Sequence, residues 1–163
     1  MMRKFFRSFL LFFFSSTALS ISSVKAQKKP DLVQYVNPPV VSQPSGYSHV
    51  AVVDLGNSKM LIISGQVPLN AKGQLVGEND FAKQTEQVFL NLQQILQSFG
   101  GSMQHVVKTG IFLTDASNVP LFREIRSKYV NIKNPPASTL VEVKGLFRKD
   151  ILIEIEATAI IPK

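Results

Sequence analysis

The sequence contains no cysteine and no tryptophan, and its only histidines are His49 and His105. Without cysteine there is no disulfide, no thiol nucleophile, no thiolate metal site and no lipid anchor on a cysteine. Two histidines are too few for a histidine-rich centre, so no metal is expected. The fold must therefore be held by its core and by subunit contacts. At 163 residues the chain supports one domain, which would bury about two thirds of the surface exposed by the unfolded chain.

Acidic residues are missing from one end. Residues 1–26 hold none, yet carry Arg3, Lys4, Arg7 and Lys25. An apolar run from Phe9 to Leu19 follows the basic start, and Val24-Lys25-Ala26 stands where a signal peptidase reads. The run is about half of the roughly 20 residues that a membrane-spanning helix needs. A signal peptide over residues 1–26, cleaved after Ala26, is expected rather than a stable membrane anchor. The product would be exported, to a periplasm or beyond the cell. Cleavage removes four of the 18 basic residues and none of the 11 acidic ones, leaving 14 against 11, or +3, on residues 27–163. That balance, with no basic run interleaved with aromatics, argues against nucleic acid as a partner.

Residues 27–45 are polar and punctuated by Pro30, Pro38, Pro39 and Pro44, which reads as an extended arm. Leu32, Val33, Val36, Val40 and Val41 would let part of it lie along the domain, with order expected from about Gly46 and the domain over residues 46–163. Residues 48–55 and 59–65 are apolar, rich in branched side chains and joined by Gly56-Asn57-Ser58, which reads as a hairpin. A helix follows. Phe81, Val88, Phe89, Leu92, Ile95, Leu96 and Phe99 form its apolar stripe, Asp80 or Asn79 its cap and Gly100-Gly101 its stop. A third strand spans residues 105–114, with Val107, Thr109, Ile111 and Leu113 on one side and Val106, Lys108, Gly110 and Phe112 on the other. A second helix carries Pro120 in its first turn and ends before Asn134-Pro135-Pro136.

The last strand alternates most strictly. Ile151, Ile153, Ile155, Ala157 and Ala159 point one way; Leu152, Glu154, Glu156 and Thr158 point the other. The implied architecture is α+β, a single sheet of about five strands with two helices on one face. Its uncovered face would hold Leu140, Glu142, Leu152, Glu154, Glu156 and Thr158. Several of these are too apolar to stay wet. A closed homo-oligomer covering that face is the economical solution, and it places ligand sites at subunit boundaries.

Five segments resemble one known family. Tyr47-Ser48, Ile63-Ser64-Gly65-Gln66, Gln84-Thr85-Glu86-Gln87-Val88-Phe89-Leu90-Asn91-Leu92, Asn134-Pro135-Pro136-Ala137 and Ile153-Glu154-Ile155-Glu156-Ala157 are similar to the RidA/YjgF family of enamine and imine deaminases. The resemblance covers about residues 46–161. It implies a chorismate-mutase-like homotrimer with clefts between subunits, acting without a bound cofactor on 2-iminopropanoate, 2-iminobutanoate and related imines. It also implies that Glu154, on the last strand, holds or activates the attacking water. The family's active deaminases carry an arginine after the Pro-Ala pair, gripping the substrate carboxylate; here that position is Ser138. The turn Leu146-Phe147-Arg148-Lys149-Asp150 is one residue longer than is usual.

The loss of the arginine bears on function. A charge-assisted contact of this sort contributes on the order of 1.5 to 3 kcal/mol and fixes orientation, whereas serine offers one neutral hydrogen bond. Lys108, Lys144 and Arg148 are conceivable substitutes. The expected site is thus Glu154 as the catalytic group, with Tyr47, Ser64, Gly65, Asn91 and Ser138 binding a small-molecule ligand. His49 and His105 read as partly exposed histidines flanking strands. Two functions remain open: hydrolysis of enamines or imines to carbonyl compounds and ammonium, and a non-catalytic ligand-binding or scaffolding trimer. Ribonuclease activity, sometimes attached to the family, fits poorly with the modest charge.

Overall fold

The structure is a computed structural model that describes residues 31–163. The leader, with its expected cleavage after Ala26, lies outside the described residues. Six strands form one mixed sheet: β1 (Val33–Val36), β2 (Val50–Asp54), β3 (Ser58–Gln66), β4 (Val106–Leu113), β5 (Ala137–Glu142) and β6 (Ile153–Pro162). Their spatial order is β1-β2-β3-β6-β4-β5, with β4 and β5 parallel and every other pair antiparallel. The helices α1 (Phe81–Ser98) and α2 (Val119–Arg126) return the chain from β3 to β4 and from β4 to β5.

Helix α1 forms because its apolar positions repeat at helical spacing and its ends are capped. The Asp80 carboxylate accepts a bond from the Lys83 amide at 3.0 Å, and Gly100 takes the positive φ that stops the helix. Val88, Leu92, Ile95 and Leu96 are fully buried against Leu61, Ile63, Ile153 and Ile155 of the sheet. Each such side chain contributes about 1.5 to 3 kcal/mol on burial. Phe89 stacks on Phe122 of α2 and on Tyr129, with ring centroids 6.2 and 4.8 Å apart, which ties the two helices together.

The proline-punctuated segment contributes more than an arm. Its middle forms β1, paired with β2 from Val33 opposite Val53 to Val36 opposite Val50, and Val41 is buried in the core. Order thus begins before Gly46, and the sheet has six strands rather than five. Prolines flank β1 without entering it, so its backbone donors remain free to pair.

Two face assignments change. Thr109 pairs with Ser138, Ile111 with Leu140 and Leu113 with Glu142, so Ser138, Leu140 and Glu142 share the helix-covered face of the sheet. Leu140 and Leu152 pack against the core, not on the open face. The sequence parity fails because Leu152 precedes β6 and β5 pairs in parallel with β4, in a register that counting cannot reveal. A bulge at Val107 likewise interrupts β4, so Val106 is buried with Thr109 and Ile111 while Val107 is exposed. The open face retains Glu154, Glu156 and Thr158, beside exposed Ile62, Val141 and Ile160.

Candidate functional site

The site starts from a second irregularity, in β3. Ile63 pairs with Ala157 and Gln66 with Ile155, so Ser64 and Gly65 together oppose the single residue Glu156. Such a bulge re-aims side chains, and here it brings the Gly65 backbone under the Glu154 carboxylate. A methyl group on Gly65 would overlap the Oε1, Cδ and Cγ atoms of Glu154. The glycine is needed for this close approach, not for an unusual φ.

Glu154 opens into a cleft of about 670 Å³, large enough for a small molecule. Tyr47, Ser64, Gly65 and Asn91, all expected at the site, line it with Glu154. Burial, and then the negative charge of Glu156, push the Glu154 carboxyl above its ordinary proton affinity. Its charge in turn adds to burial in raising the Tyr47 phenol. Among the described residues no hydrogen bond or ion pair engages the Glu154 carboxylate. A half-buried carboxylate without a partner, holding its proton more tightly than in water, is suited to taking and returning a proton.

The other expected residues build the walls. The Asn91 amide donates to the carbonyls of Val67 (3.0 Å) and Leu69 (2.9 Å) and accepts from Gln87 (2.7 Å), so α1 holds the loop after β3 in place. Asn91 is thereby occupied with structure, although it lines the cleft. The Ser64 hydroxyl donates to the Ser48 carbonyl at 2.7 Å and keeps its lone pairs for a ligand.

Ser138 lies elsewhere. It sits on the edge strand β5, two strands from Glu154, where its hydroxyl accepts from Thr109 at 3.2 Å. Within one chain it does not line the cleft. Nor do the conceivable substitute cations: Lys108 donates to Thr139 at 2.6 Å, Arg148 pairs with Asp150, and Lys144 lies outside the lining.

Several wall residues, His49, Gln66 and Phe147 among them, were not expected at the site. His49 is buried rather than partly exposed, with Nε2 2.6 Å from the Ser42 carbonyl and Nδ1 3.3 Å from the Gln66 amide nitrogen. It fastens Ser42, and with it Gln43 and Ser45, along the rim of the cleft. Its neighbour Tyr47 meets it edge to face at 5.4 Å between centroids. The one signal for His49 was its two-residue spacing from Tyr47 at the mouth of a strand. His105 instead accepts the Ser102 amide at 3.0 Å, a local cap.

The family profile described as Endoribonuclease L-PSP matches residues 41–161. The chain belongs to that family. It is the RidA/YjgF family to which the five segments pointed. A RutC family protein of Pyrococcus horikoshii is 37% identical over 99 residues, covering 61% of this chain and 77% of that protein. Among solved structures, the Rid family protein YyfA from Yersinia pestis matches with a TM-score of 0.69 at 34% identity, over 78% of this chain and 98% of its own. RidA from the Antarctic bacterium Psychrobacter sp. matches at 0.67 and 30% identity, over 77% and 98%. The single mixed sheet with two helices is therefore the fold of the Rid proteins, and β1 precedes the segment that the family profile covers.

Proposed function

We propose that this protein is a homotrimeric Rid-type hydrolase that converts imines, or their enamine tautomers, to carbonyl compounds and ammonium at Glu154. The observation that carries the reading is the unpartnered carboxylate of Glu154, seated over Gly65 in a cleft and holding its proton tightly. Glu154 orients a water and takes its proton as the oxygen attacks the imine carbon. It returns the proton to nitrogen as the tetrahedral carbinolamine collapses. The carbon–nitrogen bond breaks as the carbinolamine hydroxyl gives up its proton, and ammonia leaves and takes a proton from solvent to become ammonium; no cofactor is required by this balance.

Membership of the family supports a small-molecule role. The open sheet face supports the trimer: Ile62, Val141 and Ile160 remain exposed beside Glu156, and a second copy would cover them. The leader supports export as part of the same reading.

Assay of the purified protein with imines generated in situ tests the activity. Turnover that disappears in Glu154→Ala is the expected outcome, and equal rates with and without the protein would refute it. Light scattering tests the assembly, with a trimer expected at micromolar concentration and a monomer contradicting it.

A specific observation favours a second reading. No lysine or arginine among the described residues of one chain lines the cleft, and Ser138 stands where the family resemblance expects arginine. A trimer that binds a small molecule without turning it over is the alternative. A saturable ligand-induced shift without hydrolysis would identify it.

A further inference from the structure

We infer that the Glu154 cleft selects a small cationic ligand, an amine or iminium that carries no carboxylate, held between the Glu154 carboxylate and the rings of Tyr47 and Phe147. This names the substrate class of the same site, and its hydrolytic step rests on the function proposed above.

The charge of the lining carries the argument. Among the described residues that form the cleft, Glu154 alone has a formal charge, and it is negative. His49 is occupied at both ring nitrogens by its neighbours Ser42 and Gln66. Its Nε2 faces a carbonyl, which requires an N–H, and its Nδ1 faces the Gln66 amide nitrogen, which requires a lone pair. That amide nitrogen also donates to the Ser64 carbonyl at 2.9 Å, so its orientation is fixed from two sides. Glu156, two residues along β6, adds a further negative charge close to Glu154.

A ligand carboxylate placed here would meet the charge of Glu154, with that of Glu156 behind it, and no guanidinium or ammonium from the described residues of the same chain. A ligand cation would meet the opposite situation. Glu154 has no competing ion pair, and Tyr47 and Phe147, both exposed, offer aromatic faces of the kind that attract ammonium groups. Phe147 belongs to the lengthened turn before β6, so the feature that departs from the family pattern supplies one wall. Of the two basic residues in the turn that carries Phe147, Arg148 is engaged on Asp150 and Lys149 lies outside the lining, while Lys108 of β4 is engaged on Thr139.

The chemistry balances for such a substrate. An iminium ion, its carbon doubly bonded to a protonated nitrogen, takes up one water and gives one aldehyde or ketone and one ammonium ion. The carbon gains the water oxygen and loses the nitrogen. The positive charge leaves on the ammonium and the carbonyl product is neutral. The carboxylate that binds the cation is then also the base nearest the attacking water.

Titration calorimetry with benzylammonium chloride, benzoate and pyruvate tests the selection on the wild type and on Glu154→Gln, an isostere that keeps the packing over Gly65. Benzylammonium should bind saturably and at least about tenfold more tightly than either anion, and Glu154→Gln should weaken it about tenfold. Circular dichroism and thermal melting confirm that the variant is folded. Pyruvate or benzoate binding as tightly as benzylammonium would overturn the inference, as would benzylammonium binding indifferent to Glu154→Gln, or no binding by any probe.

Parallel turnover assays separate the two readings. Glu154-dependent hydrolysis faster on 2-iminopropanoate than on the imine of an uncharged amine would sink the selection and leave the hydrolase standing. Selective benzylammonium binding without turnover of either imine would do the reverse.

Discussion

Glu154 and Glu156 are the same residue type on the same face of the same strand, and each lies across a glycine of a neighbouring strand. Gly65 of β3 lies under Glu154, and Gly110 of β4 lies under Glu156. Their surroundings nevertheless differ. The β3 bulge, Tyr47 and the loop held by Asn91 wall in Glu154, while Glu156 stands exposed beside a shallow depression of about 100 Å³. Side-chain chemistry alone does not make a site. Among the described residues neither carboxylate has a hydrogen-bond or ion-pair partner, so what distinguishes the two is the wall that partly excludes water from Glu154.

Substituting the two glutamates sharpens this comparison most. Glu154→Ala should lower imine turnover by about 10²- to 10⁴-fold, the range of a lost general base, while Glu156→Ala stays within about threefold of the wild type. Steady-state assays of both variants check it, and equal losses would break the distinction. The glycines come next. Gly65→Ala forces a walled-in carboxylate to move and should cost about 1 to 3 kcal/mol in urea unfolding, with most of the activity. Gly110→Ala meets the Oε1 and Cγ atoms of Glu156, an exposed side chain with open solvent to swing into, and should cost less than about 1 kcal/mol, within the range of tolerated changes.

The smallest effect is a pH dependence of stability. Because the folded-state carboxyl of Glu154 is raised, the folded protein binds more protons than the unfolded chain just above the ordinary glutamate value. Stability therefore falls as pH rises through that window, and the loss is complete above the folded value. Glu154→Gln removes the ionised form, so its melting temperature should exceed that of the wild type at about pH 7. The difference should vanish below about pH 4, under the ordinary glutamate value of about 4.3. A variant less stable than the wild type at neutral pH would show that the carboxylate has a stabilising partner.

Much of the fold could be read from residue spacing, and the failures have physical reasons. The stripe from Phe81 to Leu96 and the alternation from Ile153 to Ile161 announce α1 and β6 because each buries one continuous face. β1 was hidden since four residues between prolines carry no periodicity long enough to count. Val106 and Val107 are the same residue type, so nothing in the sequence reveals the bulge that buries one and exposes the other.

At the site, Tyr47, Ser64, Gly65, Asn91 and Glu154 come together from four separate segments, and it was the resemblance that joined them, not their spacing. His49 and Gln66 stayed out of view because their role is to satisfy each other across 17 residues, which no local pattern records. Ser138 was placed from the same resemblance. It lies two strands away on the helix-covered face, so no rotation of its side chain brings it to Glu154 within one chain.

Carboxyl-carbon NMR titration of Glu154, assigned by the loss of its signal in Glu154→Gln, measures directly whether the cleft withholds water from this carboxylate. A midpoint above the ordinary value of about 4.3 is the expected result. A midpoint at or below that value would mean a solvated or cation-paired side chain, and would contradict the assignment of this cleft as the site.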